Sequence, residues 1–365
     1  MRKRLYYLDY LRIFSMFAVV FLHTVSDILR INYNEPVWHF SNIFSTLFST
    51  SVPIFFMISG VLLLSDERSS DVSFVVKNRL KKICVPFLFW SLFAIIYYFV
   101  IGYQYYDKFN YEGLFYRLKH FLNHPSTIHF WFMYALIPMY VILPFIKIII
   151  DNVKKKHKIY MLVLWLIFTI FLVTAENMVT KDYKMIFIMD EKYSLNLFNG
   201  YLGFFILGYY LNKYDIKIKN KWLILFIALD LIFVSVFTFY LTRITGGYFE
   251  GLKTYNGVFT ASMSVAIFLL FKNLFYNKEN IRHYKFINLI SETSFVIYLV
   301  HNLIIHFMNL NYYIVPNAGI GSVIIRFVVV YLLSLILTLV LRNIKPLCFI
   351  TTGVKYRGLK KNEKN

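Results

Sequence analysis

The sequence predicts an all-α fold: a polytopic integral membrane bundle of about ten transmembrane helices, with the N- and C-termini cytoplasmic. Hydrophobic residues make up 59% of the 365-residue chain, and only 16% of its residues are charged. Apolar runs long enough to span a bilayer recur along the whole chain, which is not the pattern of a soluble domain. The predicted spans are residues 9–30, 41–64, 83–103, 128–150, 159–177, 197–212, 222–242, 256–274, 286–309 and 319–342.

The distribution of positive charge predicts the orientation. With a cytoplasmic N-terminus, about three quarters of the 39 Lys and Arg residues fall in cytoplasmic segments, as the positive-inside rule requires. We therefore interpret the net charge of +20 as a topology signal and predict no nucleic-acid partner. The basic clusters at 154–156 and 360–361 fit the same pattern. Contact with anionic lipid or a phosphate-bearing ligand is the second interpretation of these clusters.

The first span carries two ionisable residues on one helical face. Arg12 and His23 are eleven residues apart, which corresponds to about three turns and a rise of roughly 16 Å. Ionisable side chains are costly in lipid, so they are functional candidates. Histidine exchanges protons near neutral pH, which makes His23 a candidate general base. Because this span begins with Asp9 and Arg12, it does not match a cleavable signal peptide, and we expect it to remain as a helix.

Two further carboxylates lie in or beside apolar spans. Asp27 follows His23 at i+4, a spacing that allows it to orient the imidazole. The alternative is a carboxylate at the outer interface of the membrane. Asp230 lies within the seventh span, and the sequence assigns it no partner.

The second span contains the stretch SVPIFFMISG. Pro53 and the Ser59-Gly60 pair favour a kink and a close approach between helices. Packing explains this pattern without a functional role, and a place for Ser59 in the lining of a cavity is the alternative.

The segment before the third span, KNRLKKICVP, is basic. Arg79 and Lys82 are i and i+3 on one face at the predicted cytoplasmic surface. They would offer donors to the phosphates of a nucleotide-like cofactor. Anchoring of the loop by the positive-inside rule is the competing explanation.

The fourth span opens on the predicted outer side with HFWFMYALIPMYVILPFI. His129 and Trp131 are residue types of the aromatic belt at a membrane interface. They are equally suited to the floor of a binding site for a sugar acceptor.

The ninth span, ISETSFVIYLVHNLIIH, carries a polar stripe. Ser291, Ser294, Tyr298 and His301 follow the spacing i, i+3, i+7, i+10, which places them on one side of an apolar helix. His301 lies roughly 20 Å from the cytoplasmic end, close to the expected depth of His23. The stripe predicts a polar cavity, with interhelical hydrogen bonding as the alternative.

We divide the chain into a membrane domain, residues 1–347, and a basic cytoplasmic tail, residues 348–365. Cys84 and Cys348 are the two cysteines, and both fall near the predicted cytoplasmic face. We therefore expect no disulfide and no metal site.

Five stretches, in this order along the chain, resemble the acyltransferase-3 family of integral membrane O-acyltransferases. Within that family the likeness is to the stand-alone enterobacterial-common-antigen O-acetyltransferase type. The R-x10-H spacing of Arg12 and His23 is the signature of the family. The matching stretches are LDYLRIFSMFAVVFLHT, SVPIFFMISG, RLKKICVPF, HFWFMYALIPMYVILPFI and ISETSFVIYLVHNLIIH.

The resemblance implies ten membrane helices and acetyl-CoA as the acyl donor. It implies an acceptor hydroxyl on a cell-envelope glycan or its lipid-linked precursor, and essential roles for Arg12 and His23. Arg79 or Lys82 would hold the CoA phosphates, and we place Ser59 with these donor-binding residues. The acceptor side of the site would be lined by His129, Trp131, Tyr298 and His301.

We therefore predict a multi-pass O-acetyltransferase of the bacterial inner or plasma membrane that needs no metal. Its partners would be the lipid bilayer, acetyl-CoA and a glycan or lipid-linked sugar acceptor, and the sequence leaves its oligomeric state open. His23 would act as general base in a direct transfer, and an acyl-histidine relay stays open. The competing class is a proton-coupled transporter or flippase for a lipid-linked sugar or organic anion, which should show paired broken helices and transport without CoA.

Overall fold

All regular structure in the described part of the chain is helical, and no strand occurs there. The computed structural model describes residues 5–31, 33–106, 109–178, 200–276, 284–310 and 319–356. The α-helices, in chain order, are α1 (Tyr6–Val25), α2 (Pro36–Phe48), α3 (Ser51–Leu64), α4 (Val72–Val75), α5 (Lys81–Tyr106), α6 (Tyr111–His120), α7 (Trp131–Val141), α8 (Leu143–Asn152), α9 (Lys155–Trp165), α10 (Leu172–Met178), α11 (Leu202–Lys213), α12 (Asn220–Thr245), α13 (Val258–Phe275), α14 (Tyr284–Leu310), α15 (Ile320–Asn343) and α16 (Lys345–Thr352).

The membrane character predicted from composition is confirmed. Within the described residues, eight helical segments are long and apolar enough to cross a bilayer, or nine if the bent pair α7 and α8 counts as one span. That pair turns by 58°. The sixth predicted span, 197–212, corresponds to α11, which has 12 residues. It rises roughly 18 Å against a hydrocarbon core of about 30 Å, so it is too short to cross alone. Residues 197–199 lie outside the described part.

The chain divides into two compact units. The first is formed by Met1–Glu67, Ile146–Glu292 and Ile314–Val328, and the second by Arg68–Phe145, Thr293–Tyr313 and Val329–Asn365. Two long helices contribute to both, because α14 and α15 each begin in the first unit and end in the second.

Close backbone contact joins α3 to α11 in the first unit. A Cβ added to Gly60 would lie 1.8 Å from the carbonyl oxygen of Phe205, and one added to Gly208 would lie 2.2 Å from that of Met57. Each glycine therefore admits the backbone of the opposite helix, as small residues do in membrane interfaces. The similar stretches PIFFMISG and GFFILGYY face each other at this contact. The close approach predicted at Gly60 is thus confirmed.

The core of the first unit next to the end of α1 is rich in aromatic residues. Trp38 is fully buried and its indole Nε1 donates to the carbonyl oxygen of Leu29 at 3.1 Å. Around it, Phe21 packs against Phe44 and Phe48, with ring centroids 5.5 and 5.2 Å apart. This packing fixes the turn that follows α1 and so the position of the last residues of that helix.

In the second unit, the short helix α16 packs against α5. Trp90 of α5 donates its indole N–H to the carbonyl oxygen of Thr351 at 3.0 Å. Gly353 ends α16 in the left-handed conformation, with φ of +69°. Cys348 is buried within the helix. The boundary expected at residue 348 therefore lies within α16. Cys84 and Cys348 are both free cysteines.

Candidate functional site

Arg12 and His23 lie on one continuous helix, α1, as their spacing predicts. His23 lies in the last turn of that helix, because α1 ends at Val25 and the predicted span extended to residue 30. The C-terminal turn of a helix carries partial negative charge on its carbonyl groups. These carbonyl groups attract positive charge, so they would act favourably on an imidazole that takes up a proton during a reaction.

Arg12 is held by two polar residues of the first unit. Its guanidinium Nη1 donates to the Ser291 hydroxyl at 3.1 Å, and this hydroxyl donates to Asp9 Oδ1 at 2.7 Å. Arg12 Nη1 also lies 3.8 Å from Asp9 Oδ1. The side chain of Arg12 is 28% exposed, against 8% for Asp9. The triad fixes the direction of the guanidinium and leaves part of it accessible to a ligand.

Ser291 was placed on the polar stripe of the ninth span, but its link to Arg12 was not predicted. Its partners come from α1 rather than from its own helix. The only available signal was the Asp9–Arg12 spacing of i, i+3, which already placed a carboxylate on the face of the arginine.

Asp27 lies in the turn beyond α1 and is exposed. It is close enough to Arg326 for their charges to attract each other. Arg326 lies on α15 and is fully buried. Sequence reasoning missed Arg326, although an arginine within an apolar span is itself a signal. Arg326 is therefore a charge partner of Asp27 that the sequence analysis did not name.

His129, Tyr298 and His301, which belong to two separate predicted spans, come together in the second unit. The Tyr298 hydroxyl donates to the carbonyl oxygen of His129 at 2.6 Å. The ring centroids of His129 and His301 are 4.7 Å apart. All three side chains are buried. We call these three residues the histidine cluster.

The hydrogen bonds of His301 define its tautomer. Its Nδ1 lies 2.8 Å from the carbonyl oxygen of Tyr298 and 3.1 Å from that of Ile297. Carbonyl oxygens only accept, so Nδ1 carries the proton and Nε2 of the neutral ring carries a lone pair. The Nδ1 of His129 lies 2.9 Å from the Thr127 hydroxyl. His301 can therefore accept a hydrogen bond through Nε2.

Trp131 is the first residue of α7 and is partly buried. Its ring contacts Phe132, with centroids 6.3 Å apart. Phe132 in turn contacts Tyr298 at 5.6 Å. Trp131 is thus connected to the histidine cluster through an aromatic side chain.

Arg79 lies in a π-helical turn, Val76–Leu80, between α4 and α5. Its guanidinium lies over the ring of Phe74 at 5.4 Å from the centroid, and Arg68 lies over the same ring at 4.6 Å. Lys82, at the start of α5, is exposed. The second unit therefore has a basic segment of at least three cations, and Arg68 adds a residue that the sequence did not single out. A π-turn of this kind is frequent at functional sites.

Ser59 lies on α3 in the first unit and is partly buried. Arg79 and Lys82 lie in the second unit, together with the histidine cluster. Within the described residues, no group of three His, Cys, Asp or Glu side chains converges as a set of metal ligands.

The sequence profile of a family described as acyltransferase domain matches residues 5–342. The chain belongs to the acyltransferase-3 family. No curated protein and no solved structure matches it. The matched range includes α1, the basic segment and the histidine cluster.

Membership of the acyltransferase-3 family makes this chain a multi-pass membrane acyltransferase. Acyl transfer needs a group that accepts a proton and cations that hold an activated donor. In the first unit, α1 carries one residue of each kind, the imidazole of His23 and the guanidinium of Arg12. The histidine cluster supplies a buried acceptor nitrogen in the second.

Proposed function

We propose that this acyltransferase moves an acetyl group from cytoplasmic acetyl-CoA to a hydroxyl of a cell-envelope polysaccharide or of its lipid-linked precursor. It would do so in the bacterial inner or plasma membrane. The observation that carries the proposal is the pair Arg12 and His23 on α1, with Arg12 held in place by Ser291 and Asp9. A purely structural helix needs neither an oriented guanidinium nor an imidazole in its last turn.

His23 acts as the general base. It takes the proton from the acceptor hydroxyl while the oxygen attacks the carbonyl carbon of the thioester. The carbon–sulfur bond then breaks, and the imidazolium returns the proton to the departing CoA sulfur. The products are the acetyl ester and free CoA, so neither an acyl-histidine nor a redox partner is required. The position of His23 in the last turn of α1 stabilises the imidazolium formed between these steps.

Arg12 assists the binding of the donor. The basic segment with Arg79 and Lys82 supplies cations for the phosphates of CoA, since guanidinium and ammonium groups bind phosphate through charge-assisted hydrogen bonds. Arg68 shares the Phe74 ring with Arg79 and adds to this charge. Ser59 of α3 is assigned to donor binding through its hydroxyl group.

The histidine cluster and Trp131 form the acceptor side. His301 Nε2 accepts a hydrogen bond from a sugar hydroxyl, and the aromatic residues around Tyr298 present apolar surface to a sugar ring. An acceptor of the enterobacterial-common-antigen type, a glycan assembled on a lipid, is consistent with a site buried in membrane helices.

The transporter alternative calls for a pair of broken helices in corresponding positions of two repeats. Among the described residues one bent pair is found, α7 and α8. A single bent pair does not favour that class over acyl transfer.

The test is radiolabelled acetyl transfer from acetyl-CoA to envelope glycan in membrane vesicles. Wild type, Arg12→Ala and His23→Ala are compared at matched protein levels, with the exposed Lys221→Ala as control. We expect label on the glycan with wild type and Lys221→Ala, and none above background with the other two variants. Transfer by His23→Ala at the wild-type rate would refute the general-base mechanism. Trapping of an acetyl group on His23 would show that the transfer proceeds through an acyl-histidine and is not direct.

A further inference from the structure

A polar cavity of about 680 Å³ lies at the end of α11 in the first unit, on the side predicted to face the cytoplasm. Three elements form its wall: the end of α11 with the loop after it, the start of α12 and the end of α13. The lining includes Lys213, Lys219, Lys272, Asp215, Asn220 and Tyr276. None of these residues has a part in the acyl-transfer mechanism. The volume lies within the usual range for small-molecule sites, about 300–1,000 Å³.

The side-chain nitrogen of Lys272 donates its hydrogen bonds to uncharged groups. Its Nζ donates to the carbonyl oxygens of Leu211, Asn212 and Tyr214, at 2.6, 3.2 and 3.2 Å. These three oxygens end α11, so the lysine fixes the floor of the cavity and caps the helix. Because carbonyl groups carry no formal charge, the positive charge of Lys272 still acts on the cavity.

Lys213 also has a neutral partner. Its Nζ donates to the Tyr209 hydroxyl at 3.0 Å, and this bond raises the pKa of Lys213, which keeps the amine cationic. Lys213 lies close enough to the buried Lys158 for the two charges to repel each other. Asp215 is the carboxylate among the described lining residues. It lies 3.8 Å from Lys217, and its charge also reaches Lys272.

Topology alone does not explain this convergence. The positive-inside rule requires basic residues in the loop, a condition that Lys217 and Lys221 already meet outside the lining. Lys272 lies within the last turns of α13, inside an apolar span. In addition, α12 begins in the wall at Asn220 with no side chain capping its first turn, so backbone N–H groups add to the donors of the lysines.

We propose that this cavity binds a phosphate group, carried either by the headgroup of an anionic lipid or by a nucleotide. Basic pockets between membrane helices on the cytoplasmic side bind lipid phosphates in this way. Phosphate suits the lining because it pairs with several cations and accepts several hydrogen bonds at once. The site goes beyond the acyl-transfer function and does not depend on it.

The test uses the purified full chain in detergent, freed of lipid, and measures binding by native mass spectrometry and by the shift in melting temperature. The probes are phosphatidylglycerol, phosphatidylcholine, whose headgroup has no net charge, and 3′,5′-ADP. The cavity variant is K213Q/K219Q. The matched control is K156Q/K221Q, which removes two exposed lysines of the same predicted face outside the cavity. All four lysines are exposed, so both variants should melt like wild type without probe.

We expect wild type to bind phosphatidylglycerol or 3′,5′-ADP, and the cavity variant to bind it roughly tenfold or more weakly, as the loss of two lysines predicts. The control variant should bind the phosphate-bearing probe as tightly as wild type does. Phosphatidylcholine should bind equally to wild type and to both double variants. Dependence on the cavity for the lipid identifies a headgroup site, and dependence for 3′,5′-ADP identifies a nucleotide site. Equal weakening in both variants, or no dependence on the cavity lysines for either probe, would overturn the proposal. A failed acetyl-transfer assay would leave this result unaffected.

Discussion

Gly353 lies against the backbone of Lys82: a Cβ added to the glycine would lie 2.1 Å from the Lys82 carbonyl oxygen. Lys81 makes a second contact between the same segments, with its ammonium 5.6 Å from the centroid of the Phe349 ring. The C-terminal helix α16 therefore supports the start of α5, where the basic segment proposed to hold the donor ends.

Substitution Gly353→Ala should weaken this support. An alanine with positive φ costs about 1–2 kcal/mol, and the clash with Lys82 adds to that cost. The matched control is Gly246→Ala, because Gly246 has φ of +70° and nothing within 4 Å of an added Cβ. We expect a lower melting temperature and a higher KM for acetyl-CoA with Gly353→Ala than with Gly246→Ala. Equal effects would show that the contact with Lys82 carries no weight.

Alanine substitutions of Gly60 and Gly321 should have opposite effects on stability, because Gly60 lies in the contact of α3 with α11 and Gly321 does not. Gly60→Ala forces a methyl group into the Phe205 carbonyl and should cost about 1–3 kcal/mol or more. Gly321→Ala, in α15, meets no neighbouring atom of the described residues within 4 Å and should gain about 0.5–1 kcal/mol by favouring the helix. Melting temperatures in detergent measure both. A neutral Gly60→Ala would contradict the close approach of the two helices.

The triad of Arg12, Ser291 and Asp9 predicts a positioning role for Ser291. Ser291→Ala removes a hydrogen bond to a charged group, which is worth about 1.5–3 kcal/mol. Transfer at limiting acetyl-CoA should fall by roughly tenfold or more. Ser334→Ala is the control, since that buried hydroxyl donates to the Val330 carbonyl oxygen of its own helix at 2.7 Å. A rate for Ser291→Ala equal to that of the control would argue against the triad.

Asp27 and Arg326 form a pair that a double-mutant cycle can measure. Asp27→Asn should destabilise the protein, because a buried guanidinium loses its counter-charge. In the Arg326→Gln background the same change should cost less, with a coupling of about 0.5–3 kcal/mol. If Asp27 instead orients His23, Asp27→Asn will reduce acetyl transfer in both backgrounds. The cycle therefore separates the two roles.

The tautomer of His301 predicts an effect on the acceptor. His301→Phe keeps an aromatic ring edge-on beside His129 but removes the acceptor nitrogen. We expect KM for the acceptor to rise by roughly tenfold, the value of one hydrogen bond of about 1.4 kcal/mol, with KM for acetyl-CoA unchanged. His306→Phe is the control on the same helix, where the imidazole Nδ1 pairs with Tyr97 at 3.2 Å. A larger rise in the acceptor KM with His306→Phe than with His301→Phe would show that the acceptor does not bind at the histidine cluster.

The sequence predicted the parts of the fold that depend on local pattern. Apolar runs located the helices, because the thickness of the hydrocarbon core sets their length. The stripe with spacing i, i+3, i+7, i+10 placed Tyr298 and His301 on one face, and the structure joins them to His129. Local pattern did not reveal that Ser291, on the same stripe, bonds to Arg12 of α1 within the first unit.

Other partners were missed for a physical reason. Arg326 and Asp27 are nearly three hundred residues apart, and no periodicity links them. The helix α16 is short and has Pro346 in its first turn, so by composition it resembles a tail. Its contacts with Trp90 and Lys82 hold it against α5. The π-turn at Arg79 has no signature in the residue types themselves.

That π-turn has a consequence for how the chain can vary in length. A π-turn holds one residue more than an α-helical turn, and the helices on either side of it keep their own registers. Loss of a single residue between Val76 and Leu80 would restore a regular helix while Trp90 and the rest of α5 kept their present faces. We expect the fold to tolerate the insertion or deletion of one residue at this point. The main effect should be a change in the position of the Arg79 guanidinium.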